Sequence, residues 1–186
     1  MIPSGDSIRV VHPLFPVEGG GSTPTSPLQL HVGEIDLDLA IRLNALWHSR
    51  LPNVVKNNVQ RVRHLMCLAA EFSGLFYMSA IWTDPIARLL NGRNWIELRR
   101  MAISDDAPKN TGSRTLRIMR AIVKGRWPHL QRAISYQDCD VHLGTIYRAD
   151  GWQMEAENKS ADWIREKRER RTAVATGIKI RWGRDL

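Results

Sequence analysis

The side chains best suited to proton transfer or metal binding lie close together in residues 134–152. Asp138, Asp140 and His142 place two carboxylates and one imidazole within five residues. Such a set could hold a metal ion, but its spacing is too loose to define a metal site, and turn or cap aspartates are the plainer interpretation. The sequence therefore leaves a metal requirement open.

A second segment that could bind a ligand is the loop over residues 104–112, which precedes a predicted helix. Lys109 and the first backbone N–H groups of that helix, near Gly112 and Ser113, suit an anion such as a phosphate. Two aspartates in the loop would repel a phosphate, and Pro108 removes one N–H donor. Anion binding is therefore expected to be weaker here than at a glycine-rich loop.

The charge distribution favours a polyanionic partner. The chain has 186 residues, a net charge of +8 and a pI of about 10.1. Residues 1–40 hold one basic and five acidic residues, so the rest of the chain carries +12. A basic body of this kind typically binds nucleic acid, and the alternative is a basic surface that only aids solubility.

Composition excludes several classes of protein. Hydrophobic residues make up 43% and charged residues 25%, as in ordinary globular domains. No apolar run approaches the roughly 18 residues of a membrane helix, and no secretion signal is visible at the start of the sequence. Two cysteines cannot form a disulfide framework. We therefore expect a protein of a reducing cytoplasm, without a membrane partner.

The hydrophobic pattern predicts a β-meander followed by alternating strands and helices. Predicted strands cover residues 28–32, 62–70, 75–82, 95–103, 130–136, 152–157 and 178–182. Predicted helices start after Asp36 or Asp38 and run to about residue 51, then cover 85–90, 113–124, 141–149 and 163–171. The helix that follows Asp36 or Asp38 has a predicted apolar face of Leu39, Leu43, Leu46 and Trp47. This order predicts a single domain of the α/β or α+β class.

The segment over residues 134–152 resembles the second half of the GCN5-related N-acetyltransferase fold. In both, a strand and a loop lead to a helix that carries a tyrosine, and a Gly-aromatic pair, here Gly151-Trp152, opens the next strand. Residues 95–124 take the place of that fold's pyrophosphate-binding unit, without its usual glycine-rich signature. The resemblance implies a central mixed sheet flanked by helices. It divides the chain into an irregular arm (1–27), a catalytic domain (28–160) and a basic C-terminal extension (161–186).

Within that superfamily the chain is similar to the Mom family of bacteriophage DNA-modification proteins. The similarity rests on residues 47–52, with the sequence Trp-His-Ser-Arg-Leu-Pro, and on residues 135–138 followed by 142–152. It implies an enzyme that converts the exocyclic amine of adenine in double-stranded DNA to a carbamoylmethyl (acetamido) form. Such a modification protects phage DNA from restriction in the cytoplasm of the infected bacterium.

The resemblance also assigns roles to single residues. Asp138 becomes the base or the group that orients the amine, and Tyr147 the acid or a group that orients the donor. His48 becomes a base, an adenine contact or a metal ligand. Each also has a structural interpretation: a turn aspartate, a core tyrosine and a surface histidine. The expected substrate-binding residues are Tyr136, Arg100, Ser104, Asp105 and Asn110, of which Tyr136 could stack on an extruded base.

Two sets of basic residues suit DNA phosphates. The first set lies on the predicted helix over 113–124, and the second lies on the charged helix predicted over 163–171. The alternatives are a solvated helix face for the first set and ion pairs within a helix for the second. The predicted nucleic-acid contacts are Arg114, Arg117, Lys124, Arg168, Arg170 and Arg171.

The sequence does not identify the group donor. Acetyl-CoA would supply two carbons, whereas a glycyl-tRNA contains both carbons and the nitrogen of the added group. One alternative function is a GCN5-like acyltransferase acting on a small amine, a protein or an aminoacyl-tRNA. Another is a nucleic-acid-binding module on an inactive transferase scaffold. The sequence leaves the oligomeric state undefined.

Overall fold

A computed structural model describes residues 23–48, 53–90, 92–159 and 177–186. Seven strands in these ranges form one sheet. They are β1 (His31–Glu34), β2 (Leu65–Phe72), β3 (Leu75–Thr83), β4 (Trp95–Ile103), β5 (Arg132–Asp138), β6 (Gln153–Lys159) and β7 (Ile178–Asp185). The helices are α1 (Leu37–Trp47), α2 (Thr111–Arg126) and α3 (Thr145–Ala149), with 3-10 turns at Pro27–Gln29, Lys56–Asn58 and Arg88–Leu90. Within these ranges, no helix has the length and apolar character needed to cross a membrane.

The sheet is mixed, with strand order β1-β2-β3-β4-β5-β7-β6. All neighbouring strands are antiparallel except β4 and β5, which are parallel. A parallel pair requires a crossover connection, and α2 provides it between β4 and β5. The predicted fold, a central mixed sheet flanked by helices, is confirmed.

Apolar side chains cover both faces of the sheet. The larger cluster joins Leu116 and Met119 of α2 to alternate residues of the strands, among them Met66. The smaller cluster joins Ala40 of α1 to Ile81 of β3 on the other face. Successive side chains of a strand point to opposite faces of the sheet. Since both faces are covered by packed apolar clusters, the central strands carry apolar side chains on both sides. We call these the α2 face and the α1 face.

The predicted β-hairpin and the strand predicted over residues 95–103 are confirmed. β2 and β3 are joined at Ser73-Gly74, where both residues have positive φ (51° and 78°). β4 covers the predicted range. Of the two candidate caps for α1, Asp36 is the one used, since its carboxylate accepts the N–H of Leu39 at 2.8 Å.

Several element bounds differ from the predicted ones. The first strand starts at His31 because residues 27–29 form a 3-10 turn capped by Ser26. α1 ends at Trp47 and buries Ala40, Leu43 and Asn44, so Leu46 is 74% exposed instead of facing the core. A 3-10 turn at residues 88–90 replaces the helix predicted over 85–90. α2 starts two residues before the predicted 113, and β5 lies two residues later than predicted.

The helix predicted over residues 141–149 is wrong in its first half. The N–H groups of Val141 and His142 both donate to the carbonyl of Asp138, at 3.4 and 3.0 Å, so the chain turns back before any helix begins. Gly144 then adopts a left-handed conformation (φ 72°), which a helix interior does not accommodate. The helix therefore starts at Thr145, and Asp140 does not cap it.

The last strand is more central than its position in the sequence suggests. The strand predicted over 178–182 extends to Asp185 and lies between β5 and β6 in the sheet. The sheet thus includes residues from the predicted C-terminal extension. The helix predicted over 163–171 and residues 1–22 of the predicted arm lie outside the described residues. The three-part division of the chain stays a prediction.

Substitution of Gly144 by Ala is expected to destabilise the fold by about 2–4 kcal/mol. An added Cβ would overlap the Oε1 atom of Gln137 and lie 2.9 Å from Cζ2 of Trp182, at a backbone conformation that disfavours side chains. Gly125→Ala is the matched control, because a Cβ there meets no atom within 4 Å. The control should retain or slightly raise stability in urea unfolding. Equal stability of the two variants would contradict the prediction.

Candidate functional site

The sheet opens between β4 and β5. Their backbone pairing begins at Trp95 with Arg132 and ends at Leu98 with Ser135. β4 then continues to Ile103 and β5 to Asp138 without pairing with each other. Crevices at the carboxyl ends of parallel strands are the usual ligand sites of α/β sheets. We call this opening the β4–β5 gap.

A bulge in β4 lies beside the gap. Ile81 pairs with Arg100 and Trp82 with Leu98, so Arg99 is the extra residue. The Arg99 guanidinium donates to the carbonyl of Asn58 at 3.0 Å. Bulges often redirect side chains next to active sites, and here the bulge places two arginines in succession where the gap begins.

Tyr147 reaches the closed end of the gap from the α2 face. Its hydroxyl lies 2.9 Å from the Oγ of Ser135, which also donates to the carbonyl of Leu98 at 3.0 Å. Leu98 and Ser135 form the last pair between β4 and β5. The phenol ring stacks on Trp182, with centroids 5.5 Å apart, and contacts Trp152 edge-on. Burial raises the pKa of Tyr147, so its hydroxyl stays protonated near neutral pH.

His48, Arg100 and His142 come together near the same gap. His48 follows the last residue of α1, and its pKa is lowered to about 4 by burial and by the nearby charges of Arg100 and His142. The imidazole is therefore neutral at pH 7. The Arg100 guanidinium donates to the carbonyl of Arg99 at 2.8 Å, whereas its buried Nε has no hydrogen-bond partner among the described residues.

Tyr136 and Asp138 are on the α1 face of β5. Ala133 belongs to the cluster on the α2 face, so the even-numbered residues after it point to the opposite side. Asp138 ends the strand, and its carboxylate accepts the N–H of Asp140 at 3.1 Å. Its carbonyl accepts the N–H of His142, which connects Asp138 to the group around His48. The half-buried Tyr136 has a raised pKa, mainly because of desolvation.

Glu97 was not among the predicted site residues, although it lies on the same face as Tyr136. It pairs in register with Ile134, its carboxylate accepts the N–H of Ile86 at 3.1 Å, and burial raises its pKa. Only the strand register identifies this neighbour, because the sequence pattern treats Glu97 as the polar side of an ordinary strand.

The remaining predicted substrate residues lie in the loop after β4. The Ser104 hydroxyl accepts the N–H of Asp106 at 3.3 Å and so shapes the loop. Asn110 adopts a left-handed conformation (φ 66°) immediately before α2, and its carbonyl accepts the N–H of Arg114. Asp105 is an exposed residue of the intervening turn. This loop therefore leads from the gap to the start of α2.

An arginine-lined cavity of about 480 Å³ lies beside the start of α2. Two of its arginines, Arg114 and Arg117, were predicted to contact DNA phosphates, and the other two, Arg148 and Arg184, come from α3 and β7. The one carboxylate in its lining, Asp150, is paired with Arg120 at 2.8 Å and accepts the indole N–H of Trp152. The cavity is therefore positively charged. We call it the arginine groove.

The other predicted phosphate contacts lie elsewhere or outside the described residues. The Lys124 ammonium donates to the carbonyls of Pro128 and Leu130 at 3.0 and 2.7 Å, at the far end of α2. Arg168, Arg170 and Arg171 lie outside the described residues. In the described ranges, no three His, Cys, Asp or Glu side chains are arranged to hold a metal ion.

The structure thus places six of the predicted residues in three groups. His48 and Arg100 are together, and His142 connects them to Asp138. Tyr147 is separate, on the opposite face at the closed end of the gap. Arg114 and Arg117 line the groove. Sequence reasoning missed Ser135, Arg148 and Arg184, whose roles depend on strand register and on the position of β7.

Solved structures with the same fold are acetyltransferases. A Bacillus subtilis acetyltransferase in complex with CoA has a TM-score of 0.56 and 15% identity, with 85% of this chain and 98% of that chain covered. A GNAT family acetyltransferase from Elizabethkingia anophelis with acetyl-CoA bound has a TM-score of 0.56 and 10% identity, covering 85% and 99%. An acetyltransferase of the GNAT family from Streptococcus pneumoniae has a TM-score of 0.59 and 14% identity, covering 84% and 99%. At these identities the similarity establishes the fold.

The family comparison is more specific. No curated protein sequence matches the chain. The model of the Mom protein family, however, matches residues 77–182, which is more than half of the chain. The matched range starts in β3 and ends in β7, so it includes both sides of the β4–β5 gap and all of α2 and α3. The chain belongs to the Mom protein family.

Proposed function

We propose that this protein converts the exocyclic amine of adenine in double-stranded DNA to its carbamoylmethyl form, beginning with transfer of an acyl group from an activated donor. The observation that carries the proposal is the β4–β5 gap, which polar groups approach from both faces of the sheet. His48, Arg100 and Asp138 lie on or near the α1 face, and the Tyr147 hydroxyl approaches from the α2 face. Membership of the Mom family and the basic charge of the chain also support it.

The exocyclic amine of adenine is a poor nucleophile because its lone pair is delocalised into the ring. The protein must therefore orient this amine and remove a proton from it. Asp138 is the proposed group that orients the amine and accepts its proton. His48 is neutral at pH 7, so the ring nitrogen that carries no proton is chemically able to accept a hydrogen bond from the same amine. Arg100 helps to keep the imidazole neutral, because a second positive charge nearby is unfavourable.

The target base must leave the duplex to reach these groups. Base extrusion is the general solution for enzymes that modify a base atom within DNA. Tyr136 lies on the α1 face two residues before Asp138 and offers an aromatic surface on which the extruded adenine can stack. Basic residues around the site would bind the phosphates on either side of that base.

Tyr147 is the proposed acid on the donor side. Its hydroxyl carries a proton at neutral pH and lies at the closed end of the gap, beside Ser135. A proton donated by the Tyr147 hydroxyl would stabilise the leaving group of the donor, either the thiolate of coenzyme A or the 3′-oxygen of a tRNA, as the bond to adenine forms. Asp138 as the base and Tyr147 as the acid would then act from opposite faces of the sheet, through the β4–β5 gap.

The arginine groove fits a donor that carries phosphates. Four guanidinium groups beside the first N–H groups of α2 suit the phosphates of coenzyme A or the backbone of a charged tRNA. With acetyl-CoA, attack of the adenine amine on the thioester carbonyl releases the thiol of coenzyme A and forms an acetyl amide, so a separate nitrogen source and a rearrangement would still be needed. With glycyl-tRNA, attack on the ester carbonyl releases the 3′-hydroxyl of the tRNA and forms a glycyl amide. This amide has the same atoms as the carbamoylmethyl product, which forms when the glycyl amine attacks C6 of adenine and the original exocyclic nitrogen leaves as the amide nitrogen.

Nucleoside mass spectrometry tests the proposal directly. Plasmid DNA from bacteria that express the chain should contain an adenosine heavier by a carbamoylmethyl group, and DNA from an empty-vector strain should not. The purified protein should bind duplex DNA with an affinity that falls steeply as salt rises. Unmodified adenosine in cell extracts supplied with acetyl-CoA, glycine and total tRNA, from protein shown to be folded, would contradict the proposal.

A second candidate function is acyl transfer from coenzyme A to an amine on a small molecule or protein. The arginine groove favours it, as do two similar acetyltransferase structures, one in complex with CoA and one with acetyl-CoA bound. This function predicts tight coenzyme A binding and no duplex affinity. Calorimetry with coenzyme A and with a DNA duplex therefore separates the two functions.

Removing two groove arginines is expected to weaken coenzyme A binding at least about tenfold, because each charge-assisted hydrogen bond contributes about 1.5–3 kcal/mol. The double variant is Arg117→Ala with Arg148→Ala, two exposed residues on different helices. Arg126→Ala is the control, since Arg126 lies on α2 outside the groove and pairs with Glu34 on the surface. Equal affinities of the two variants, or no coenzyme A binding by the parent protein, would contradict the prediction.

A further inference from the structure

Three polar side chains form a cluster at the end of the sheet opposite the β4–β5 gap. His64 immediately precedes β2, Asp84 immediately follows β3, and His129 lies in the connection from α2 to β5. β4 and β5 begin at this end of the sheet, whereas the gap opens at their carboxyl ends. The cluster therefore has no part in the proposed transfer reaction.

Asp84 fixes the orientation of the His64 ring. One oxygen of the carboxylate lies 2.6 Å from Nδ1 of His64, and the other accepts the backbone N–H groups of Arg63 and His64 at 2.6 and 3.0 Å. Because an ionised carboxylate only accepts hydrogen bonds, Nδ1 is the nitrogen that carries the proton. In that tautomer, the lone pair of Nε2 is available to a ligand. The His64 side chain is buried and also contacts Trp127 edge-on.

The free nitrogen of His64 faces a second imidazole. Nε2 of His64 and Nε2 of His129 are 3.2 Å apart, and the ring centroids are separated by 5.2 Å. Two nitrogens bound to one tetrahedral Zn²⁺ at about 2.0–2.1 Å are about 3.3 Å apart. The observed separation matches that of two imidazole ligands of a single ion, and it is also the length of a direct N–H···N hydrogen bond between the two rings. A carboxylate on the remote nitrogen of a histidine is the usual support for a metal ligand.

We propose that His64 and His129 bind one divalent transition-metal ion, such as Zn²⁺, through their Nε2 atoms. Asp84 orients the His64 ring, and water completes the coordination because His129 is exposed. The ion would connect the start of β2 to the connection between α2 and β5, and through Asp84 to the end of β3. By connecting these segments, the ion would stabilise the fold at the end of the sheet opposite the β4–β5 gap.

Calorimetric titration of the full chain with Zn²⁺ tests the proposal. His129→Ala is the informative variant, because His129 is exposed and its loss leaves the contacts of His64 with Asp84 and Trp127 in place. We expect this variant to lose one Zn²⁺ equivalent, or to bind it at least about tenfold more weakly. His31→Ala, which removes an exposed histidine of β1, should bind Zn²⁺ as the parent protein does.

A second substitution and a second measurement separate the metal site from a simple hydrogen bond between the rings. Asp84→Asn should weaken Zn²⁺ binding by about 10- to 100-fold. Zn²⁺ should also raise the Tm of the parent protein and of His31→Ala, but not that of His129→Ala. Identical stoichiometry and affinity in the parent protein and His129→Ala would overturn the proposal. So would the absence of binding to the parent protein at about 100 µM free Zn²⁺, which would leave only a hydrogen-bonded pair.

Discussion

Asp138→Asn is expected to lower the yield of carbamoylmethyladenosine by about 10²- to 10⁴-fold, the usual contribution of a positioned acid or base. The substitution keeps the size of the side chain and an oxygen that can accept the N–H of Asp140. The turn after β5 also depends on the backbone carbonyl of Asp138, which the substitution does not change. The expected loss is therefore one of proton transfer and amine orientation, and not of folding.

Asp140→Asn is the matched control for this experiment. Asp140 lies in the same turn, is exposed, and undergoes the same change from carboxylate to amide. Its variant should modify plasmid DNA to the parent level, as measured by nucleoside mass spectrometry at equal expression. Circular dichroism and Tm should be the same for both variants. Modification by Asp138→Asn within threefold of the parent protein would exclude Asp138 as the proton acceptor.

The order of the elements was largely predictable because it depends on local signals. The β2–β3 hairpin is indicated by two apolar runs and a turn at Ser73-Gly74, where Gly74 readily adopts positive φ. β4 alternates apolar and polar residues and is followed by a loop rich in turn residues, so both of its bounds were correct. The cap of α1 at Asp36 follows the same local logic.

The prediction from local signals was wrong where a long-range contact determines the backbone conformation. Asp140 has the residue type of a helix cap, yet Gln137 donates to the carbonyl of His142 at 2.5 Å and holds the chain in a turn. The oxygen of the same amide accepts the indole N–H of Trp182 in β7 at 2.7 Å. The start of α3 is therefore determined in part by a strand about 40 residues later in the chain, which no local pattern encodes.

The candidate site was predictable as a set of residues but not as an arrangement. The types of His48, Asp138 and Tyr147 suggested acid–base chemistry, but the sequence does not place Tyr147 and Asp138 on opposite faces of the sheet. That division follows from the register of β4 with β5 and from the packing of α3 against Trp182. The arginine groove was only half predicted, since Arg148 and Arg184 join α2 only after β7 enters the sheet.

Tyr147→Phe tests the donor side of the same mechanism and is expected to lower DNA modification by about 10²-fold or more. The change removes one hydroxyl and keeps the ring between Trp152 and Trp182. Ser135 retains its hydrogen bond to the carbonyl of Leu98, so no buried donor is left without a partner by the substitution. The free energy of unfolding should fall by only about 1 kcal/mol, the net contribution of one buried hydrogen bond.

Tyr77→Phe is the matched control, because Tyr77 is another buried tyrosine of the main apolar cluster and lies on β3, outside the closed end of the gap. Its variant should retain full modification at a similar stability. If Tyr147 acts as the acid, Tyr147→Phe should still bind duplex DNA like the parent protein and fail only in transfer. Loss of duplex binding together with activity would instead assign Tyr147 a role in maintaining the DNA-binding surface, and full activity would exclude it as the acid.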